Sequence, residues 1–426
     1  MITTVITVIG TGTGSPLPPD TEAELATATL VVGARRHLTA ARLPDTTERI
    51  VLGPLPPALD AIEQHLKEPA DHTAQRRVVV LASGDPGFFG IVRALADRFG
   101  ARTLDVRPAV SSVATAFARL GLTWDDAIVV SAHGRDPRTA VNVCLAHPKV
   151  AVLTGPGAGP AELGAALRSQ SPERVLVVAS ALGSGPDERV ERVTPAEAAA
   201  RDWGPAVSVV LCLDESRTLS SVRTIAGPPA GPAQWALDEG EFTHRDSMIS
   251  KFEVRALALA RLGPRLGDHV WDIGAGSGSV AVECARLGAA VTAVEKSGDG
   301  VERVRANAAA HGVDVTVVRG VAPAVLSELP DPDAVFIGGG GRELPAIVAD
   351  CARRARRAVV VAMAALDRVP AAREALLAAG FGCDGVLLQS SRLAPLPGDV
   401  TRLAATNPVF LLWGVRLPAR TEGVAQ

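Results

Sequence analysis

The residues of this 426-residue chain best suited to chemistry lie in glycine-rich stretches and in clusters of cationic side chains. The most informative stretch is Trp271-Asp272-Ile273-Gly274-Ala275-Gly276-Ser277-Gly278-Ser279-Val280. Glycine tolerates positive φ and lets backbone N–H groups approach a ligand, so a strand entering this turn and leaving as a helix suits a nucleotide-like molecule. The spacing is G-x-G-x-G, because Ser279 stands where a dinucleotide fingerprint has its third glycine. Glu295 ends the next apolar run, about twenty residues after the first glycine, where a carboxylate accepts hydrogen bonds from ribose hydroxyls. Ala322, within Gly320-Val321-Ala322-Pro323, falls where a base edge would lie, and Gly338-Gly339-Gly340-Gly341 follows a fourth apolar run. A lone glycine turn often only closes a helix against a strand. The turn, the acidic strand end and the base-edge loop in register argue for a ligand.

The first half holds its own set. "TVIGTGTGSP" (7–16) has the look of a nucleotide loop but is a decoy for the main ligand contacts, and "LASGDPGFFG" (81–90) places Gly84 and Asp85 at a strand end. Ser111 and Ser112 start a helix, where capping free N–H groups and touching a ligand are equal readings. His133 and Arg135, and also Arg35, Arg36 and His37, offer cationic donors to an acidic substrate, although surface turns and helix ends explain them as well. In the second half His244, Arg245, Lys251, Glu253 and Arg255 precede the glycine strand, either to bind substrate or as one charged helix face.

The elements that must position these groups alternate. Strands are expected at 4–9, 30–32, 78–82, 126–131, 150–153, 174–179 and 208–213, with helices at 22–28, 59–67, 90–99, 111–120 and 160–169. A Pro/Gly/Ser-rich stretch around 217–236 marks a linker, after which a second series starts with strands at 268–271, 290–294, 313–318 and 334–337. A helix is expected at 279–287, and an antiparallel pair at 386–391 and 409–415 ends the series. The chain is too long for one ordinary core, so we divide it into domains 1–214 and 241–426 joined by 215–240. A net charge of −3 without a basic run, and 3% aromatic residues, argue against a nucleic-acid partner. The five cysteines are scattered without a C-x-x-C pair, so neither a metal site nor a disulfide framework is indicated. No apolar window is long enough to span a membrane and no signal peptide is evident, so a cytoplasmic protein is expected.

Several of these segments resemble known families. The G-x-G-x-G loop preceded by Asp272 is similar to the S-adenosylmethionine loop of Rossmann-like methyltransferases. Ile249-Ser250-Lys251-Phe252-Glu253-Val254-Arg255 resembles the I-T-K-x-E-V-R segment of the decarboxylating precorrin methyltransferases of the cobalamin pathway. "WDIGAGSGSVAVECAR", "NAAAHG", "RGVAPAVL" and "DAVFIGGGG" resemble the same family over nearly all of 241–415. One departure is Ala362-Met363-Ala364-Ala365-Leu366-Asp367, where the family has Ala-Asn followed by Thr-Leu-Glu. "SGDPGFFG", the P-x-V-S-S helix start, "SAHGR" and "LTGPGAGPAEL" resemble the tetrapyrrole methylases over about 4–213.

The resemblances imply an α/β protein with a two-lobed tetrapyrrole methylase (class III methyltransferase) domain followed by a Rossmann-like class I methyltransferase domain. They imply S-adenosylmethionine at two sites, one per domain. Gly274, Ala275, Gly276, Ser277, Gly278, Glu295, Ala322 and Ser250 would contact one copy, and Gly84, Asp85, Ser111 and Ser112 the other. The implied reaction is methylation of precorrin-6Y/6B at carbons 5 and 15, with loss of the ring C acetate as carbon dioxide, giving precorrin-8X. His244, Arg245, Lys251, Glu253, Arg255, His133 and Arg135 would meet this tetrapyrrole substrate, and relatives of both halves self-associate, which implies a homo-oligomer. No residue is singled out as a proton donor. Alternatives are a fused methyltransferase pair acting on another tetrapyrrole or acidic metabolite, and a non-catalytic tetrapyrrole carrier. A nicotinamide oxidoreductase is disfavoured by Ser279.

Overall fold

The computed structural model of the chain describes residues 6–14, 16–68, 76–205, 207–217, 226, 234–245 and 249–417. Its contacts define two compact units. One comprises Met1–Arg135, Ala151–Ala165 and Arg174–Ala226, and the other Asp136–Val150, Ala166–Glu173 and Gly227–Gln426.

In the N-terminal half, β1 (Ile6–Gly10), β2 (Leu30–Gly33), β3 (Glu48–Val51), β4 (Val78–Ala82) and β5 (Leu104–Arg107) form a parallel sheet in the order β3-β2-β4-β1-β5. Strand side chains alternate between faces. Val78 and Val80 join one core with Ile6, Leu30 and Ile62, while Val79 and Leu81 join another with Ile9, Leu25 and Leu38. Burial on both faces is why these central strands read as unbroken apolar runs. A second sheet holds β6 (Ile128–Ser131), β7 (Lys149–Leu153), β8 (Val175–Ser180), β9 (Arg189–Val193) and β10 (Val207–Leu213) in the order β6-β7-β10-β8-β9. β8 is antiparallel to both β10 and β9.

The C-terminal half is a seven-stranded sheet ordered β13-β12-β11-β14-β15-β19-β16. β11 (His269–Ile273), β12 (Ala290–Glu295), β13 (Thr316–Arg319), β14 (Ala334–Ile337) and β15 (Ala358–Met363) are parallel. β16 (Phe381–Leu388) and β19 (Val409–Arg416) close the sheet antiparallel. Strand order runs outward in opposite directions from β11 and β14, so the carboxyl ends of these two strands form the crevice where open α/β sheets bind ligands.

The expected 22–28 helix is Pro19–Ala26, started by a proline at its first position, and the expected 313–318 strand is the shorter β13. β3, β5, β9 and β15 had no expected range, nor had the hairpin β17 (Ser391–Leu396) and β18 (Val400–Ala405), a separate two-stranded sheet. Most of the expected linker lies outside the described residues. None of the described helices is long and apolar enough to cross a membrane.

Candidate functional site

The C-terminal site is built on the carboxyl ends of β11, β12 and β14. Gly274, Gly276 and Gly278 have φ of 75, 59 and 73°, values that side chains with a Cβ rarely adopt. Gly274 is also constrained in space, since a Cβ there would lie 3.2 Å from the backbone of Gly339. The four-glycine run therefore lets the loops after β11 and β14 approach each other. Gly338 N donates to Ile273 O (3.0 Å) and Gly274 N to Val294 O (2.9 Å), tying the three strand ends together.

Asp272 and Glu295 are the two buried carboxylates at this crevice. The helix Ser279–Arg286 has no side-chain cap of its own, and Asp272 Oδ2 accepts from its Ala281 N–H at 3.0 Å. Burial pushes the Asp272 carboxyl up to about 7; the Ala281 hydrogen bond opposes this and the charge of Glu295 adds to it. At Glu295, burial is outweighed by hydrogen bonds from Ser297 N (2.9 Å), Gly276 N (3.0 Å) and Ser297 Oγ (3.0 Å), and the carboxyl is held below the usual range. Glu295 is thus an ionised acceptor fixed beside the glycine loop. Gly320 N donates to Glu295 O (3.0 Å), which brings the half-buried Ala322 loop next to it.

Two parts of this site gave little sequence signal. Asn307, buried in the helix Gly298–Ala310, donates through Nδ2 to Ser277 O (2.7 Å) and Thr243 O (2.8 Å), and its Oδ1 accepts from Thr243 N (2.8 Å). It links the glycine loop to the segment that carries His244 and Arg245. Gly300 leaves room for Glu295, because a Cβ there would sit 2.6 Å from Glu295 Cγ. Only the "NAAAHG" resemblance pointed toward Asn307.

The leading charged segment divides. His244, Lys251 and Ser250 are half-buried and Arg245 is exposed. Arg255 corrects the expectation of substrate contact, because it is 0% exposed. Its Nη1 donates to Ser250 O (2.6 Å), its Nε lies 3.6 Å from Glu283, and it stacks over Phe242 with 5.0 Å to the ring centroid. Desolvation lowers its pKa, so it works as an internal counter-ion rather than a surface donor. Glu253 is engaged by Arg392 Nη2 (2.7 Å), which also holds Glu239. These residues anchor the segment to the domain, a role that charge patterning alone does not separate from ligand binding.

In the N-terminal half the loops after β1 and β4 meet. Gly84 N donates to Gly12 O (2.9 Å), and Gly84 has φ 59°, with room for a Cβ only 3.5 Å from the Ser111 backbone. Gly84, Ser111 and Ser112 are therefore neighbours. Ser111 Oγ accepts from Ala114 N (3.1 Å) as an N-cap, and Asp85 Oδ1 accepts from Gly87 N (2.8 Å) to shape its own loop. A Cβ on Gly10 would lie 2.5 Å from Gly84 O, so glycine in the 7–16 stretch serves loop-on-loop packing. Phe89, held at φ 55° and 51% exposed, and Val110, 63% exposed, leave apolar side chains at the surface of the two loops that carry Gly84 and Ser111. Composition gave no hint of that pair. His133 and Arg135 are exposed at the end of β6, and His133 Nδ1 lies 3.3 Å from Thr154 O of the neighbouring β7 loop.

Each half matches a known domain family. The precorrin methyltransferase domain model matches residues 241–415, and the tetrapyrrole (corrin/porphyrin) methylase model matches residues 5–199. A Sinorhizobium protein named precorrin-6Y C(5,15)-methyltransferase (decarboxylating) is 38% identical over 347 residues, covering 79% of this chain and 79% of its own length. A protein of the same name from Mycobacterium tuberculosis (strain CDC 1551 / Oshkosh) is 36% identical over 341 residues, covering 79% and 81%. The crystal structure of precorrin-6Y C5,15-methyltransferase from Geobacter metallireducens GS-15 is similar to 43% of this chain and 97% of its own, with 31% identity and a TM-score of 0.40. With relatives of one name aligned across most of both lengths and a methyltransferase family matched in each half, the chain belongs to the precorrin-6Y C(5,15)-methyltransferase (decarboxylating) family, the C-methyltransferases of cobalamin biosynthesis.

Proposed function

We propose that this chain methylates precorrin-6Y/6B at carbons 5 and 15 and removes the ring C acetate as carbon dioxide, giving precorrin-8X, with a separate S-adenosylmethionine site in each half. The N-terminal half takes carbon 5. The C-terminal half takes carbon 15 and the decarboxylation. The observation that carries this reading is the presence of two glycine-rich strand-end sites, at Gly84 and at Gly274, on two different sheets of one chain. The cofactor supplies an electrophilic methyl group on a sulfonium.

The residues present fit that cofactor. Glu295 is an ionised acceptor suited to ribose hydroxyls, Ala322 sits beside it for the adenine edge, and Asp272 becomes an anion near a cationic ligand. Gly274, Ala275, Gly276, Ser277, Gly278 and Ser250 line the amino-acid end, while Gly84, Asp85, Ser111 and Ser112 hold the second copy. The ring carbon is an enamine-type nucleophile, so the protein's contribution to attack is mainly to hold it in line. Decarboxylation uses the ring as electron sink and gains from loss of water around the leaving carboxylate. His133, Arg135, His244, Arg245 and Lys251 meet the substrate's carboxylates.

We also assign the protein to the cytoplasm and to a homo-oligomer. The support for self-association is the hairpin β17–β18, whose cross-strand pair Leu393 and Leu403 is 79% and 67% exposed. Calorimetric titration of the full chain with S-adenosylmethionine is expected to give two sites per chain, and incubation with precorrin-6B two added methyl groups and one carbon dioxide. One cofactor site, or methylation without carbon dioxide, would refute the division.

A further inference from the structure

We propose that Ser83, backed by His37 and Arg36, takes the proton that the ring carbon must lose once it has been methylated in the N-terminal half. This rests on the assignment of carbon 5 to that half. The three residues lie at the carboxyl ends of the neighbouring strands β2 and β4, and Ser83 directly precedes Gly84. Arg36 Nη2 lies 2.6 Å from Ser83 Oγ, Arg36 Nε 3.3 Å from His37 Nε2, and Ser83 Oγ 3.1 Å from His37 Nε2.

Arginine has donors only, and this fixes the direction of every bond in the cluster. Ser83 Oγ accepts from Arg36, so its own proton is free to point at His37. His37 Nε2 is likewise an acceptor, so the neutral ring carries its proton on Nδ1. Burial and the charge of Arg36 hold the His37 pKa below its ordinary value despite a favourable contact from the Leu81 backbone. Arg36 is the charged group whose field bears on the ring. His37 therefore stays neutral and able to accept. Ser83 is exposed and His37 half-buried, so of the two members able to take a proton the hydroxyl is the one that reaches a substrate.

The step balances without a further reagent. After methylation the sp3 ring carbon holds both a methyl group and a hydrogen beside an iminium-type cation. Its C–H bond breaks, the electron pair restores the ring conjugation, and the proton goes to Ser83 Oγ as the Ser83 hydroxyl proton goes to His37 Nε2. The imidazolium, destabilised by Arg36, then releases that proton to water. A carbon acid next to an iminium is acidic enough for a weak, neutral base. Ser83 is the catalytic residue here, and His37 and Arg36 position and relay.

The test uses the full chain with precorrin-6B and S-adenosylmethionine, scoring methylation at each carbon and carbon dioxide by mass analysis. Ser83→Ala and His37→Ala are expected to slow methylation at carbon 5 by about 100-fold or more. Carbon 15 methylation, carbon dioxide release and cofactor affinity should stay at wild-type values, and added imidazole should restore part of the His37→Ala loss. Nitrogen NMR of labelled histidine in the cofactor-free chain is expected to show His37 as the Nδ1–H tautomer, with the Nε2 signal moved by Ser83→Ala. Wild-type carbon 5 rates in both variants overturn the relay, as does a loss at both carbons without imidazole rescue. A wild-type chain that never methylates carbon 5 overturns the functional assignment itself, and the relay with it.

Discussion

Asp272 shows how a single residue can serve two opposed demands. Its carboxylate caps the helix behind the glycine loop, yet burial pushes its pKa up to about 7. Because the folded pKa is raised, the native state holds the proton more tightly than the unfolded chain does. Stability from this group is fully present below the unfolded pKa near 4 and declines as pH rises to about 7. A cationic cofactor favours the carboxylate, so binding should release a proton, and affinity should fall as pH drops from 8 to 6. Asp272→Asn is expected to keep or raise the urea midpoint at pH 8 while weakening S-adenosylmethionine binding about 10-fold or more. Unchanged affinity in calorimetry would refute a cofactor role. The identity and position of Asp272, Glu295 and the glycines were legible in the sequence. Their protonation was not, because it depends on what packs around them.

Among the elements, legibility followed burial. Strands in sheet centres, such as β4 and β11, are apolar on both faces and stand out. Apart from the central β15, the missed strands of the large sheets are the charged edges β3 and β5 of the first sheet and β9 of the second. They carry Glu48, Arg49, Asp105, Arg107, Arg189, Glu191 and Arg192, residue types that protect edges and also populate loops. The hairpin β17–β18 was hidden for a related reason, since its leucines face outward.

That hairpin is fastened by Arg392, which reaches Glu239 at 2.9 Å and Glu253 at 2.7 Å. Chiefly through the Arg392 hydrogen bonds, the Glu239 pKa is lowered from 4.5 to about 2. The stabilisation is complete above pH 4.5 and is lost as pH falls through about 2. Arg392→Leu is expected to cost about 1–2 kcal/mol at pH 7, allowing for the partial exposure of the pairs. It should also flatten the acid loss of stability below pH 4.5, read from unfolding midpoints at pH 7 and pH 3. An unaltered midpoint at pH 7 would remove the clamp.

For the molecule as a whole, the two proposed cofactor sites, at Gly84 and at Gly274 on separate sheets, should be separable by mutation. Glu295→Ala is expected to raise the cofactor KM of carbon 15 methylation by about 10-fold or more, the loss of one charge-assisted contact. Carbon 5 methylation should continue at the wild-type rate, which isotope-labelled methyl transfer followed by mass analysis reads directly. Equal loss at both carbons would mean that the halves share one site.

Glycine spacing, acidic strand ends and the alternation of apolar runs determined the α/β class and the loops of both candidate sites, because these are local patterns that backbone geometry imposes. Which charged residues are taken up by internal ion pairs was decided only by tertiary structure. Lys251, Glu253 and Arg255 are near neighbours in sequence, yet Arg255 is buried against Glu283 and Glu253 is held by Arg392 from a hairpin far along the chain. The Ser83–His37–Arg36 cluster has the same origin. Its members come from two separate segments and meet only because β2 and β4 pair in parallel, so that their carboxyl ends open on one edge.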